Sequence, residues 1–500
     1  MSPGDGIVAA GHEAAADAAA RALSLGGNAF DAVIAAGFAS TVCEPGFTSL
    51  GGGGFLLAHP TDAATVLFDF FVDTPGRGRP GGAPEPVFDE VVVRFAAADQ
   101  VFHCGPGSVA VPGVLAGYLH VHERLGRLPL REVVAPAVEL ARTGVAVSAT
   151  QAVDLTLLEP ILARTEGSRR IFLPEGRLLR EGELLHNPDL GDFLEQLAGP
   201  TPATLYEGEL ARRLVDQLHE HGGLLTLDDL AGYRVIERRP LRFGFRDRTI
   251  LTNPPPTFGG ALLGLALARV GAEPPPTSAA DRAELLARTM AGVDRDRAAG
   301  HPEVLAALRG DLGDDPEARA IATRGTTHVT VADAAGNVAS MTTSNGECSG
   351  DVLAGTGISC NNMLGEDDLH PDGFHAAPPG ERVASMMSPS IVLGPDGAVE
   401  LALGSGGSKR IRSALLQVLT ATIDHGTALQ AAVDAPRIHW DEDHLEAEPG
   451  LAPDVLERLR RVAPVNVWPA RSMYFGGVHA VAPGSTGAGD ARRGGAVRVV

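Results

Sequence analysis

A mixed α/β (α+β) fold is what this chain of 500 residues predicts, and three observations carry the expectation. Two Ala-rich helical segments stand near the start. A β-branched, alternating hairpin runs from Thr327 to Thr343. An apolar, strand-like run from Val399 to Leu403 then passes through a glycine pair into a segment with apolar residues at three-to-four spacing.

In chain order, helices are expected over about His12 to Leu25 and Ala29 to Thr41, separated by Gly26, Gly27 and Asn28, whose tolerance of positive φ suits a helix stop. The four glycines Gly51 to Gly54 are read as close packing of a strand against a helix, away from any chemistry. Leu67 to Val72 reads as a strand and 75–86, rich in Pro and Gly, as a surface loop. The middle, Leu128 to Met290, reads as helical, with a short strand near Thr249 to Thr252 and a break at Pro254 to Pro256. Asp311 to Thr323 is polar and reads as a flexible approach to Thr326. Thr327 to Ala332 and Val338 to Thr343 are strands joined by the turn residues Asp333 to Asn337. Strands continue until a helix near Arg410, marked by Ile411, Leu415, Val418 and Thr422. There is no internal repeat.

The stretch TTHVTVADAAGNVASMTTSNG resembles the nucleophile segment of the γ-glutamyltransferase family. Further segments resemble that family in the same order. GIVAAGHEAAADAAARALSLGGNAFDAVIAAGFA, SLGGGGFLL, GSVAVPGVLAG and LREVVAPAVELARTGVAVS come first, then EHGGLLTLDDLAGYRVIERRPL and NPPPTFGG. GTGISCNNML, SMMSPSIVL, LGSGGSKRIRSALLQVL, APRIHW and GAGDARRGGAV lie after the threonine. The resemblance implies a four-layer α/β/β/α sandwich of the N-terminal-nucleophile hydrolase type. It also implies a precursor split between Gly325 and Thr326 into a large subunit (1–325) and a small one (326–500) that together form one interleaved fold.

The chemistry explains the residues. A threonine hydroxyl needs an adjacent base, and the α-amine that cleavage would create on Thr326 has a reference pKa of about 7.7 to 8, suited to that task. Before cleavage the same hydroxyl would attack the Gly325 carbonyl; a glycine there has no Cβ and tolerates a strained backbone. The resemblance gives Ser344, eighteen residues after Thr326, the role of the second hydroxyl that orients the nucleophile, with Ser in place of the family's Thr. Asn345 comes next, at a turn, and belongs to the substrate side. Gly406 and Gly407 present bare N–H groups at a strand-to-helix junction, where an oxyanion is stabilised.

On the substrate side the chain departs from the family. Phe71 stands where members carry an arginine that forks onto the substrate α-carboxylate, and the next arginine is Arg77. Met363 replaces a Gln, and Ser385 is followed by Met386 in place of a second serine. Asp367 or Asp368 is the acidic residue for the substrate amine. Losing the bidentate Arg removes bonds worth about 1.5 to 3 kcal/mol, so a less polar acyl group is expected beside, or instead of, a γ-glutamyl group.

Composition narrows the partners. The net charge of −21 argues against nucleic acid and anionic membrane surfaces. Small-molecule amides, with water or an amine as acceptor, are expected, and no cofactor. The start has Asp5 where a signal peptide would carry positive charge and moves directly into a family segment, so a cytoplasmic location is expected. Cys43, Cys104, Cys348 and Cys360 are scattered and read as reduced thiols, with Cys348 near Ser344. None of the sixteen histidines shows metal spacing; His370 and His375 with Asp372 read as a solvated loop, and His328 as either a site-lining or a packed strand residue. An acylase acting on a non-glutamyl amide is the enzyme alternative, and a non-catalytic scaffold the other.

Overall fold

The computed structural model describes residues 6–79, 85–94, 99–200, 204–299, 326–366, 369–370 and 373–500. Two antiparallel sheets face each other. The first has seven strands in the order Ala496–Val499, Ile7–Ala10, Thr327–Ala332, Val338–Ser344, Gly53–His59, Val66–Phe70 and Ile236–Arg238. The second has six, in the order Thr486–Ala488, Gly477–Ala482, Val399–Gly406, Ser390–Leu393, Arg248–Thr252 and Leu241–Phe245. Helices Glu13–Ser24, Ala29–Cys43 and Val114–Leu125 cover the first sheet, and Gly259–Gly271 and Arg410–His425 cover the second. The expected α/β/β/α sandwich is the architecture observed.

The central strands are buried on both faces, Thr327–Ala332 and Val338–Ser344 along their whole length. Period-two alternation sorts their side chains between two cores. Ile7, Ala9, Phe55 and Leu57 enter the core shared with the second sheet, while Val8, Ala10, Leu56 and Ala58 enter the core under the first helical layer. Val329 and Val331 join the helical side, which turns His328 and Thr330 towards the second sheet. The first two helices end and begin as their caps dictate. Gly26 has φ +87°, and Asn28 forms a capping box with Asp31 that starts the second helix.

The structure corrects three expectations. Ile236–Arg238 and Leu241–Phe245 are strands inside the stretch read as helical; each is short, and exposed charged residues such as Glu237 and Arg242 interrupt the apolar signal. The run Gly51 to Gly54 packs chiefly on backbone, not on a helix. A Cβ on Gly51 would lie 2.3 Å from the Ser359 oxygen, one on Gly52 2.1 Å from the Ser344 oxygen, and one on Gly54 2.6 Å from the Thr342 oxygen. These glycines therefore set how closely the chain passes Ser344. The strand read as Val399 to Leu403 runs on to Gly406. The segment from Asp311 to Thr323 lies outside the described residues.

Candidate active site

Thr326 immediately precedes the third strand of the first sheet. That strand pairs Thr327 with Thr343, so the register continued by one residue sets Thr326 opposite Ser344. The whole residue is buried, and its Oγ1 has no hydrogen-bond partner among the described residues. A buried hydroxyl left without a partner is costly in a packed interior and points to chemistry or a ligand. Its carbonyl, by contrast, is held: Arg493 Nη1 donates to it at 3.0 Å.

Gly406 closes the strand Val399–Gly406 directly against that carbonyl, where an added Cβ would sit 2.1 Å from the Thr326 oxygen. Gly407 has φ +113° and Ser408 φ +55°, and the helix Arg410–His425 begins just beyond them without a side-chain cap. The start of that helix follows within four residues of the strand end that packs on Thr326. Ser408 Oγ, which nothing in the local pattern singles out, is buried there and also lacks a partner among the described residues. Ser344 Oγ accepts from the Gly346 N–H at 3.0 Å, which fixes its rotamer. Thr326, Ser344 and Gly406 thus lie close together, with Gly407 one residue on, but no hydrogen bond joins the Thr326 and Ser344 hydroxyls among the described residues. Gly325, Asp367 and Asp368 lie outside the described residues.

Sequence reading missed the charges beneath this site. Glu44 terminates the helix Ala29–Cys43; its Oε1 accepts from Thr327 Oγ1 at 2.8 Å, and the buried Ser40 hydroxyl faces the same carboxylate. Burial pushes its carboxyl up to about 7, against the Ser40 and Thr327 hydroxyls and Arg493, which draw it down. Asp154, on the helix Ala149–Leu162, is pushed up to about 8 by burial and by Glu347. Arg493 feels Asp154, Glu347 and Glu44 together, and lies over the Phe47 ring at 4.8 Å. The one available signal was its place in GAGDARRGGAV.

On the substrate side, Phe71, Met363 and Met386 are fully buried and join the same apolar core, with Phe71 stacked on Phe55 at 5.4 Å. Asn345 Nδ2 donates to the Cys360 oxygen at 3.3 Å, while its Oδ1 is buried without a partner among the described residues. Ser385 Oγ accepts from the Met387 N–H at 3.2 Å. Neither nearby arginine replaces the missing one. Arg382 donates to the Phe71 oxygen at 2.6 Å, the Asp69 carboxylate at 3.1 Å and the Arg234 oxygen at 2.7 Å, and pairs with Asp73 at 2.8 Å. Arg77 reaches only the Gly380 oxygen, at 3.4 Å.

Other expectations resolve here. His328 is a packed strand residue: its ring contacts Thr342 and Thr330 hydroxyls at 2.8 Å each, and burial holds it neutral. His370 and His375 are partly buried, their Nε2 atoms meeting the Met363 oxygen at 3.0 Å and the Gly107 oxygen at 2.9 Å, and Asp372 lies outside the described residues. Cys348 is near Ser344 in the chain, but burial pushes its thiol up to about 12, so no thiolate is available. All four cysteines are buried and unbridged. Among the described residues no cluster of His, Cys, Asp or Glu is placed to hold a metal, and no helix is long and apolar enough to cross a membrane.

Comparison with known proteins agrees with this geometry. The family model for gamma-glutamyltranspeptidase matches residues 15–302 and 282–500. The chain is 35% identical to the Acylase ACY 1 proenzyme of Pseudomonas sp. (strain SE83), covering 91% of this chain and 86% of that protein. It is 30% identical to the glutathione hydrolase proenzyme of Escherichia coli (strain K12), covering 91% and 84%. Its fold superposes on the crystal structure of cephalosporin acylase from Bacillus halodurans with a TM-score of 0.81 at 26% identity, over 100% of this chain and 96% of the other. The chain belongs to the gamma-glutamyltranspeptidase family.

Proposed function

We infer that the protein is a self-processing acyl-transfer enzyme. It takes an acyl group, γ-glutamyl or related, from an amide such as glutathione to water or an amine through an acyl-threonine ester. The observation that supports this most directly is Thr326 itself: a fully buried hydroxyl without a partner among the described residues, beside the central strand, its carbonyl held by Arg493 and backed by Gly406.

In this reading the hydroxyl first attacks the Gly325 carbonyl and the Gly325–Thr326 C–N bond breaks, leaving the α-amine of Thr326 free and the Gly325 acyl group as an ester on Oγ1; water then hydrolyses that ester to a Gly325 carboxylate and the free hydroxyl. The amine then takes the hydroxyl proton as Oγ1 attacks the substrate carbonyl, and Ser344 orients the hydroxyl. Backbone N–H groups of Gly406 and Gly407 receive the negative charge that develops on the carbonyl oxygen. The proton passes to the leaving amine, and water or a second amine repeats the sequence on the ester.

An acylase reading has one observation in its favour: Phe71 is apolar and buried, and Arg382 is occupied by Asp69, Asp73 and the Phe71 carbonyl. Neither Phe71 nor Arg382 then offers an unengaged donor to a glutamyl α-carboxylate.

A denaturing gel of the purified protein tests the core of the proposal. Two bands near 325 and 175 residues, the smaller beginning Thr-Thr-His-Val, are expected from the sequence. A single uncut chain, or a fragment with another N-terminus, would refute the assignment of Thr326.

A further inference from the structure

Two adjacent arginines near the end of the chain are held in opposite ways. Arg492 is paired with Glu448 at 2.5 Å and with Asp490 at 3.1 Å. Arg493 is buried too, yet carbonyls and a ring hold its head in place of a contact ion pair among the described residues. It donates to the Thr326 oxygen at 3.0 Å and the Met473 oxygen at 3.3 Å, lies 4.8 Å over the Phe47 ring, and leaves Nε without a partner among the described residues. Burying a guanidinium in this way is costly. The fold nonetheless clears its path: Gly406 and Gly477 pair in the second sheet, and a Cβ on Gly477 would lie 2.5 Å from Arg493 Cδ, as one on Gly406 would lie 3.1 Å from its Nη1. The stem thus crosses a pair of glycines to reach the residue that carries the nucleophile.

This charge stands next to the atom that has to act as base. Covalent geometry keeps a residue's own nitrogen within about 3.6 Å of its carbonyl oxygen, so the guanidinium lies within roughly 7 Å of the Thr326 nitrogen. At such range inside a protein a like charge disfavours protonation. The surrounding groups cancel little of it below neutral pH. Burial pushes the Glu44 and Asp154 carboxyls up to about 7 and about 8, Asp490 is taken by Arg437 and Arg492, and Glu347 is the fourth carboxyl that acts on the guanidinium. Burial keeps His479 neutral, and Arg410 is turned to the Tyr474 oxygen at 2.8 Å. We propose that Arg493 is a positioning residue for the nucleophile: it fixes the Thr326 carbonyl and, through its charge, keeps the α-amine created by cleavage in its neutral, proton-accepting form. The proposal rests on the acyl-transfer reading, since self-cleavage is what creates that amine.

Arg493→Gln retains a donor and drops the charge, while Arg493→Lys retains both. The acid limb of kcat/KM for an anilide substrate is measured on the cut proteins between about pH 5 and about pH 9. The glutamine variant's limb is expected about one unit above that of the wild type, with activity recovering towards the alkaline end, and the lysine variant's limb close to that of the wild type. An unmoved limb in the glutamine variant, or equal shifts in the two, would overturn the inference, because loss of a purely structural contact lowers turnover at every pH alike. The wild type supplies a second check that needs no variant to fold or to cut: the pH dependence of cyanate labelling at the N-terminus of the small subunit titrates the amine directly. A midpoint below about 7 is expected, against a reference of about 7.7 to 8, and a higher one overturns the inference. A wild type uncut at Thr326 refutes the proposed function and this inference with it. A cut, active wild type whose glutamine variant keeps the same limb refutes this inference alone.

Discussion

Gly406 lies so close to Thr326 that a single added Cβ would stand 2.1 Å from the Thr326 carbonyl oxygen, with Arg493 Nη1 3.1 Å away on the same side. The obstructing atoms belong to backbone and to a guanidinium held in place, so neither gives way cheaply. Gly406→Ala is expected to displace Thr326 and to cost self-cleavage and about 100-fold or more in turnover. Band pattern and kcat measured together check it. A fully cut, fully active Gly406→Ala protein would mean that the strand end does not position the nucleophile.

Thr326→Ala and Thr326→Ser separate packing from chemistry. Both side chains fit the buried space, but only serine keeps an Oγ. The alanine variant is expected as a single uncut chain without turnover and the serine variant as a cut chain with reduced kcat. A cut alanine variant would place the nucleophile elsewhere.

The strand beginning at Thr327 and the helix beginning at Arg410 were legible in the sequence because alternation and three-to-four spacing are local patterns. The family segments identified the junction at Gly406 for the same reason: its residues are contiguous. Glu44, Asp154, Glu347 and Arg493 were not legible. They lie on separate elements far apart in the chain and meet only because the first helices and the terminal segment converge beneath Thr326. The exposed, charge-interrupted strands at 236–245 failed differently, since pairing with neighbours defines them and not their own pattern.

Asp154 and Glu44 give the fold a signed pH dependence. Burial raises both, to about 8 and about 7, while in the unfolded chain they titrate near 4. The folded state therefore holds protons that the unfolded chain releases. Their stabilising contribution is complete below about pH 4 and is lost as pH rises towards 7 to 8. Asp154→Asn removes one such group, so the variant is expected to be more stable than the wild type by on the order of 2 kcal/mol at pH 8 and by clearly less at pH 5. Thermal midpoints of both proteins across that range measure the gap; one that narrows with rising pH would show that Asp154 is ionised in the fold.

The acyl preference turns on Phe71 and Arg382. Phe71 presents no donor to a carboxylate, and Arg382 is tied to the Phe71 oxygen and to Asp69 and Asp73, so its guanidinium holds the segment instead of reaching for substrate. Burying a substrate α-carboxylate without a partner would cost several kcal/mol. Turnover of γ-glutamyl-p-nitroanilide is therefore expected to be slower than that of an anilide of similar length lacking the α-carboxylate, by about tenfold or more in kcat/KM. Phe71→Arg should shift the ratio towards the glutamyl compound, because the new guanidinium supplies charge-assisted bonds worth about 1.5 to 3 kcal/mol. The stacking on Phe55 would be lost in that variant, so its unfolding midpoint is measured alongside. If the wild type strongly prefers the glutamyl anilide, a carboxylate partner exists that neither Phe71 nor Arg382 reveals, and the apolar reading of this side of the site is wrong.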